Sequence, residues 1–278
     1  MSTRIRLEPL DKPLLMLMAV RQQQALGVVI ATYGSGAKRA RLLSCWVRPD
    51  VRNQGIGTAL LQRMQHLLKH EGCTHVEVHY RSNWNGTPAF EQILQRLQWS
   101  PPTCKHVLCV HDDMPRLLQA PWLQRAKVPD GITLFPWTDL SAAEAEDIRR
   151  TQVRDAWFDA ALNPFQLAHI LEPTTSFGLR QEGRVVGWVV RHKVKPDTLQ
   201  CTALVAHTGA PFGCGLALLR HTIATQVGLG IPKSSYMIDG TNHKMIAFMR
   251  RRLAPYGMTE AQNRVAEKRL TATNDLPA

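Results

Sequence analysis

Two apolar runs, Leu14 to Val20 and Leu26 to Tyr33, flank the polar Arg21-Gln22-Gln23-Gln24. Their length and spacing predict an antiparallel hairpin. Before it, the alternating Arg4-Ile5-Arg6-Leu7 predicts a short edge strand. After it, a Gly34-Ser35-Gly36 turn leads into a third strand, residues 41–47. The period then changes. From Thr58 to His70 the apolar positions Leu60, Leu61, Met64, Leu67 and Leu68 share one helical face, and Gly72 ends the run. Thr74 to Tyr80 predicts a strand, Pro88 to Leu97 a second helix, and His106 to Val110 a returning strand.

Residues 115–130 carry Pro, basic residues and Trp122 without a clean period, and are read as a linker. Beyond it, Ser141 to Leu171 predicts a helical region interrupted near Asn163-Pro164. The chain then repeats itself. Gly187 stands in a strand like Gly27. Gly213-Cys214-Gly215 before Leu216-Ala217-Leu218-Leu219 echoes Gly55-Ile56-Gly57 before Thr58-Ala59-Leu60-Leu61, an offset of 158 residues. The same offset carries Trp99 onto Gly257. The expectation is an α+β chain of two tandem domains, residues 1–114 and 131–278. Each is a mixed, mainly antiparallel sheet flanked by helices.

Composition narrows the function classes. The 278 residues suffice for two modest cores. With 34 Lys and Arg against 22 Asp and Glu, the net charge is +12, which favours an anionic partner. A nucleic acid is one such partner, although no recognition motif supports it. Six cysteines lack a Cys-x-x-Cys pair and eleven histidines lack zinc spacing, so no metal is expected and the thiols are read as reduced. No stretch has the length of a transmembrane helix. A cytoplasmic protein without a membrane partner is the expectation.

The stretch from Trp46 to Leu61 carries the chemistry. It reads as a strand end, a basic glycine-bearing loop and a helix start. The first amides of a helix lack intrahelical partners and lie at the positive end of its dipole, so such a turn is an anion site. Arg52 adds a fixed charge. The expected ligand is a phosphate or pyrophosphate.

Arg52-Asn53-Gln54-Gly55-Ile56-Gly57 resembles the Arg/Gln-x-x-Gly-x-Gly/Ala signature of the GNAT superfamily of acyl-CoA-dependent N-acyltransferases, and Val47-Arg48-Pro49 is similar to its Val-x-Pro lead-in. The resemblance implies acetyl-CoA as cosubstrate and an amine as acceptor. Its site would comprise Trp46, Val47, Arg52, Asn53, Gln54, Gly55, Ile56, Gly57 and Thr58. A backbone amide near Trp46 or Val47 would hold the thioester oxygen. Asn242 to Phe248 also resembles the superfamily's later helix entry, and residues 83–89 match it loosely. The tyrosine often found on that helix is absent: Ile93, Leu94 and Met249 occupy the candidate positions.

The superfamily's two acceptor-shaping helices have room before the second copy's strands but not before the first's. The second copy has Ala210-Pro211-Phe212 where the first has Arg52, so its CoA loop is read as degenerate, with a bulky ring near the phosphate position. Candidate catalytic residues are Glu77 and His79, which alternate onto one strand face, as base, and Tyr80 as proton donor to the leaving thiolate. Each has a structural alternative: surface residues for the first two, a packed core tyrosine for the third. The function expected is direct acetyl transfer to an unidentified amine. The alternative is a non-catalytic CoA-sensing or RNA-associated (ribosome-associated) binding protein on the same scaffold.

Overall fold

The computed structural model describes residues 13–34, 38–166 and 168–270. The edge strand expected at residues 4–7, and Ser35 and Gly36 of the expected turn, lie outside them. The chain divides into two compact units. One comprises residues 1–106 and 261–278, the other residues 107–260. These units do not follow the boundary read from sequence. The stretch 115–130 contains two short helices whose Leu117, Ala120 and Leu123 are buried, so it packs as structure.

In the first unit the order of strands is β1 (Leu14–Arg21), β2 (Gln24–Tyr33), β3 (Arg39–Val47), β4 (His75–Arg81) and β11 (Met258–Arg269), the last contributing from residue 261. The hairpin β1–β2 is antiparallel and turns on Gln22 and Gln23, with φ of 48° and 63°. Helix α1 (Ile56–His70) connects β3 to the parallel β4, and α2 (Thr87–Arg96) follows β4. Both helices pack on one face. Leu60, Leu61, Met64 and Leu68 of α1 and Leu94 of α2 bury against Val29, Ala31, Val76, Val78, Tyr80 and Ala266. The last strand, β11, pairs antiparallel with β4 from Asn263↔Arg81 to Arg269↔His75.

The second unit repeats the plan after residues 107–111 of β5 (Thr103–His111), α3 (Met114–Leu118) and α4 (Pro121–Gln124). Its strands run β10 (Lys233–Asp239), β9 (Thr198–Ala206), β8 (Arg184–Lys195), β7 (Phe177–Gln181) and β6 (Ile132–Pro136). Helix α6 (Cys214–Gly228) joins β9 to the parallel β10, and α7 (His243–Arg252) follows. Both ends of α6 and of β10 lie 158 residues after those of α1 and β4. The second helix start also forms as expected: the Asn242 side chain accepts from Met245 N at 3.0 Å.

The helical region expected from Ser141 to Leu171 is shorter than its pattern. Helix α5 (Ala142–Asp155) opens on a Ser141–Glu144 capping box and stops at Ala156, whose φ is 46°. Three single-turn 3-10 segments follow, Ala160–Leu162, Ala168–Ile170 and Pro173–Thr175. Aromatic packing takes over from helix propensity here. Trp137 and Phe158 bury, and Trp157 packs, against Trp188, Val190, Ala203 and Val205 of the sheet.

Candidate functional site

Strand β3 leaves its parallel partner part-way along. It pairs with β4 from Arg39↔His75 to Leu42↔Val78, whereas it continues to Val47 and β4 to Arg81. The cause is in the register with β2, where Ala31 faces Leu42 and Ile30 faces Ser44. Leu43 is the extra residue of a bulge, and bulges bend strands and end pairing. Residues 43–47 thus run along β2 alone, leaving a cleft between the ends of β3 and β4.

Amides alternate sides along an antiparallel strand. Arg48 N donates to Leu26 O at 2.8 Å, which puts the Trp46 amide toward β2 as well and those of Cys45 and Val47 toward the cleft. Of the two amides named for the thioester oxygen, Val47 is the one so directed. The Cys45 thiol is pushed up to about 11 by burial, which keeps it protonated and a poor nucleophile.

The loop between β3 and α1 is braced by charge. Arg48 Nε donates to Asp50 Oδ1 at 2.7 Å and holds that carboxyl below its ordinary value. Arg52 Nε donates to Val47 O at 3.1 Å, tying the loop to the strand end. Asn53 and Gly55 both take left-handed φ, 61° and 81°. Gly55 is the N-cap of α1, and a Cβ built on it would meet nothing within 4 Å. Space over the helix N-terminus is therefore open, as a bound phosphate requires. Gly57 has a different role. A Cβ there would come 3.1 Å from Ile93 Cδ1, so this glycine lets α2 approach α1. Asn53, Gln54 and Gly55 are exposed, with Ile56 and Thr58 half-buried at the helix start.

Glu77 and His79 do share a face, the one turned away from α1 and α2. The Glu77 carboxylate is held by Arg41, whose Nε and Nη2 each approach Oε1 at 2.7 Å. Burial raises its pKa, but Arg41 and His79 outweigh burial and hold it below its ordinary value. His79 Nε2 lies 3.3 Å from Glu77 Oε1. Burial lowers the imidazole pKa. Glu77 opposes this and the positive charges of Arg41 and Lys105 add to it, so His79 is held neutral near pH 7. It stands one residue past the last β3–β4 pair, on the splayed arm.

Tyr80 is not brought to them. It points to the core face, 4% exposed, where its hydroxyl donates to Glu91 Oε1 at 2.8 Å and its ring meets Phe90 edge-on. Burial, and then the bond to Glu91, raise its pKa. Arg264 Nη1 completes that network at 2.8 Å from Glu91. This is the packing alternative to the proton-donor expectation. Sequence reading missed Arg41, Leu43, Asp50 and Glu91. Only strand register reveals the first two, and neither of the others has a motif.

The second unit keeps the scaffold and loses the side chains. Strand β9 pairs with β10 up to Cys201, and Thr202 is its bulge residue. Gly213, with φ 102°, caps α6. The connecting loop is one residue shorter, and no arginine stands in it. Phe212, next to the N-cap Gly213, is 98% exposed, so its ring is not packed into the cradle. Ser235 and Met237 stand where the first unit has Glu77 and His79.

Residues 3–87 match the acetyltransferase (GNAT) family model. A tandem GNAT protein of the clavulanic acid biosynthesis pathway superimposes with a TM-score of 0.60 at 16% identity, covering 97% of this chain and 86% of that one. A GCN5-related N-acetyltransferase of Sphaerobacter thermophilus gives 0.61 at 15% identity, with 94% and 82% covered. A GNAT-family acetyltransferase of Colwellia psychrerythraea gives 0.56 at 8% identity, with 91% and 85% covered. The chain has the fold of tandem GNAT proteins, and its first unit matches the family's sequence model. Curated protein sequences give no match to it. Its GNAT signature, an acyltransferase one, lies in the first unit, and the second shares the fold. All six of its cysteines are unbridged, and no described helix is long and apolar enough to cross a membrane.

Proposed function

We propose that the first unit is an acetyl-CoA-dependent N-acetyltransferase and that the second has lost the means to hold CoA. The observation that carries this reading is the coincidence of three features in one unit. An open helix N-terminus with Arg52, a cleft between splayed strands, and a neutral His79 on the cleft's arm all belong to the first. The second retains only the cleft and the helix N-terminus.

The residues present suit acetyl-CoA, which when bound supplies an activated acetyl thioester. The α1 N-terminus, with Gly55 leaving it uncovered, and the Nη groups of Arg52 would hold the pyrophosphate. The Val47 amide would donate to the thioester oxygen, where negative charge grows during attack. His79 is the base. Its neutral imidazole takes a proton from the acceptor ammonium, and Glu77 stabilises the imidazolium that results. The amine nitrogen then bonds to the acetyl carbon as the carbon–sulfur bond breaks, and the proton that the nitrogen sheds on becoming an amide passes through solvent to the leaving thiolate. Tyr80, donating to Glu91, has no part in this.

Acetyl-CoA binding by calorimetry, followed by turnover with a panel of amines for the wild type and His79→Gln, tests the reading. Saturable binding and a loss of turnover of at least 100-fold in the variant are expected; absence of acetyl-CoA binding to the wild type would sink it. Binding without turnover of any amine would favour a CoA-sensing protein instead. The one feature pointing that way is that Tyr80 is tied to Glu91.

A further inference from the structure

The sheet face carrying Glu77 and His79 is open to solvent at Met16, Met18 and Trp46. Both helices of the first unit pack on the opposite face; on this one Ile30 is buried while its neighbours are open to solvent. Beside the exposed Arg41 it carries exposed apolar side chains. Met16 is 63% exposed, Met18 55% and Trp46 43%. Register lines them up, since Met18 faces Val28 and Val28 faces Trp46. In the next row Met16 faces Ile30 and Ile30 faces Ser44. Rows two residues apart are about 7 Å from each other, and neighbouring strands about 5 Å, so the rows form a slab about 10 Å wide ending at the cleft.

The second unit shows what this surface requires. Trp188 and Val205 occupy the register positions of Val28 and Trp46, and Val190 and Ala203 those of Ile30 and Ser44. There the four are buried under Trp137, Phe158 and the chain around α5. Of the same positions in the first unit, Val28, Ile30 and Trp46 are apolar and Ser44 is polar; Ile30 is buried, Val28 and Ser44 are half-buried, and Trp46 is exposed. Charge decides what kind of molecule fits. Arg41 neutralises Glu77, and the positive charges of Arg41 and Lys105 both act on His79. That field repels polycations and tolerates a single ammonium group.

We infer that Met16, Met18, Val28 and Trp46 select the acceptor, and that it is a monoamine on an aryl or alkyl body rather than a polyamine, an aminoglycoside or a lysine-rich chain. The apolar body lies along the slab and the amine reaches His79 at its cleft end. This rests on the acetyltransferase reading for its reaction, but not for its binding.

The test uses the full chain with phenethylamine, hexylamine, spermidine, kanamycin and a lysine-rich peptide. Turnover is followed with acetyl-CoA, and amine binding by calorimetry in the presence of CoA. Phenethylamine and hexylamine should exceed the polycations at least tenfold in kcat/KM. Met16→Glu and Met18→Glu should raise KM for them at least tenfold while leaving KM for acetyl-CoA unchanged. Equal or better use of the polycations, or indifference of the monoamines to both substitutions, overturns the inference. Saturable monoamine binding that both substitutions abolish, in a protein without acetyl-CoA turnover, supports the surface and overturns the transferase reading alone.

Discussion

Gly27 and Gly187 make the same contact in the two halves of the chain. A Cβ on Gly27 would stand 2.9 Å from the carbonyl oxygen of Trp46 and 3.1 Å from Leu60 Cδ1. On Gly187 it would stand 2.7 Å from the carbonyl oxygen of Val205 and 3.6 Å from Leu218 Cδ1. Each glycine lets a strand and its crossover helix close on the neighbouring strand. Backbone carbonyls cannot rotate away as side chains do. Alanine at either position should therefore cost about 1–3 kcal/mol, as overpacking does. Urea unfolding of G27A and G187A checks this, and wild-type midpoints for both would contradict the close approach.

Arg52 supplies two things at once, a bond from Nε to the Val47 carbonyl and a positive charge beside the open end of α1. Arg52→Ala should weaken acetyl-CoA binding by about 1.5–3 kcal/mol, the size of a charge-assisted contact. Arg52→Lys should recover only part of it, because an ammonium has no fork to share between Val47 and a phosphate. Calorimetry with the three proteins decides the point. Equal affinities would remove Arg52 from the phosphate site.

The fold was largely legible in the sequence because strand and helix periods are local. Leu60, Leu61, Met64 and Leu68 bury as their spacing predicts, and Gly55 and Gly213 cap equivalent helices. What stayed hidden is non-local. The offset between the copies is 160 residues at Gly27 and Gly187, 159 at the bulge residues Leu43 and Thr202, and 158 from the helix caps onward. One residue is lost at each connection, so a single offset cannot align both strand and helix. The pairing of Arg41 with Glu77 and the core-facing side of Tyr80 likewise depend on register. No pattern within β3 or β4 alone gives it.

His79 gives the proposed reaction a pH signature. Burial holds its pKa below the ordinary 6.5, and the base must be neutral to work. The reaction should therefore keep most of its rate at pH 7 and lose it on the acid side later than an ordinary histidine would, as the imidazole takes up a proton. Arg41→Gln removes one positive charge acting on His79 and frees Glu77 to bind the imidazolium, so both effects raise the pKa. The acid limb of kcat/KM should move to higher pH in that variant. A limb that stays in place would separate His79 from the proton transfer.

Tyr80→Phe should leave kcat within about threefold of wild type, because its hydroxyl donates to Glu91 on the core face. It should cost about 1–2 kcal/mol in stability, since Glu91 keeps Arg264 but loses one buried partner. A kcat loss of 100-fold with unchanged stability would return Tyr80 to the role of proton donor.

The last strand makes the first unit depend on the far end of the chain. Ala266 and Leu270 are buried in its core, Lys268 Nζ donates to Leu97 O, and Ser100 N donates to Glu267 O at 2.8 Å. Without β11 the whole edge of β4, from His75 to Arg81, would lose its partner, and Val76, Val78 and Tyr80 would border an open side. A fragment of residues 1–130 contains the complete phosphate loop, Glu77 and His79, yet should not fold cooperatively. An unpaired edge of seven residues, apolar at Val76, Val78 and Tyr80, also invites aggregation. Circular dichroism melting of this fragment should show no sharp transition. Supplying residues 258–270 in trans, or fused through a flexible linker after residue 106, should restore one. A fragment that melts cooperatively without β11 would show that the first unit is complete in the first 130 residues.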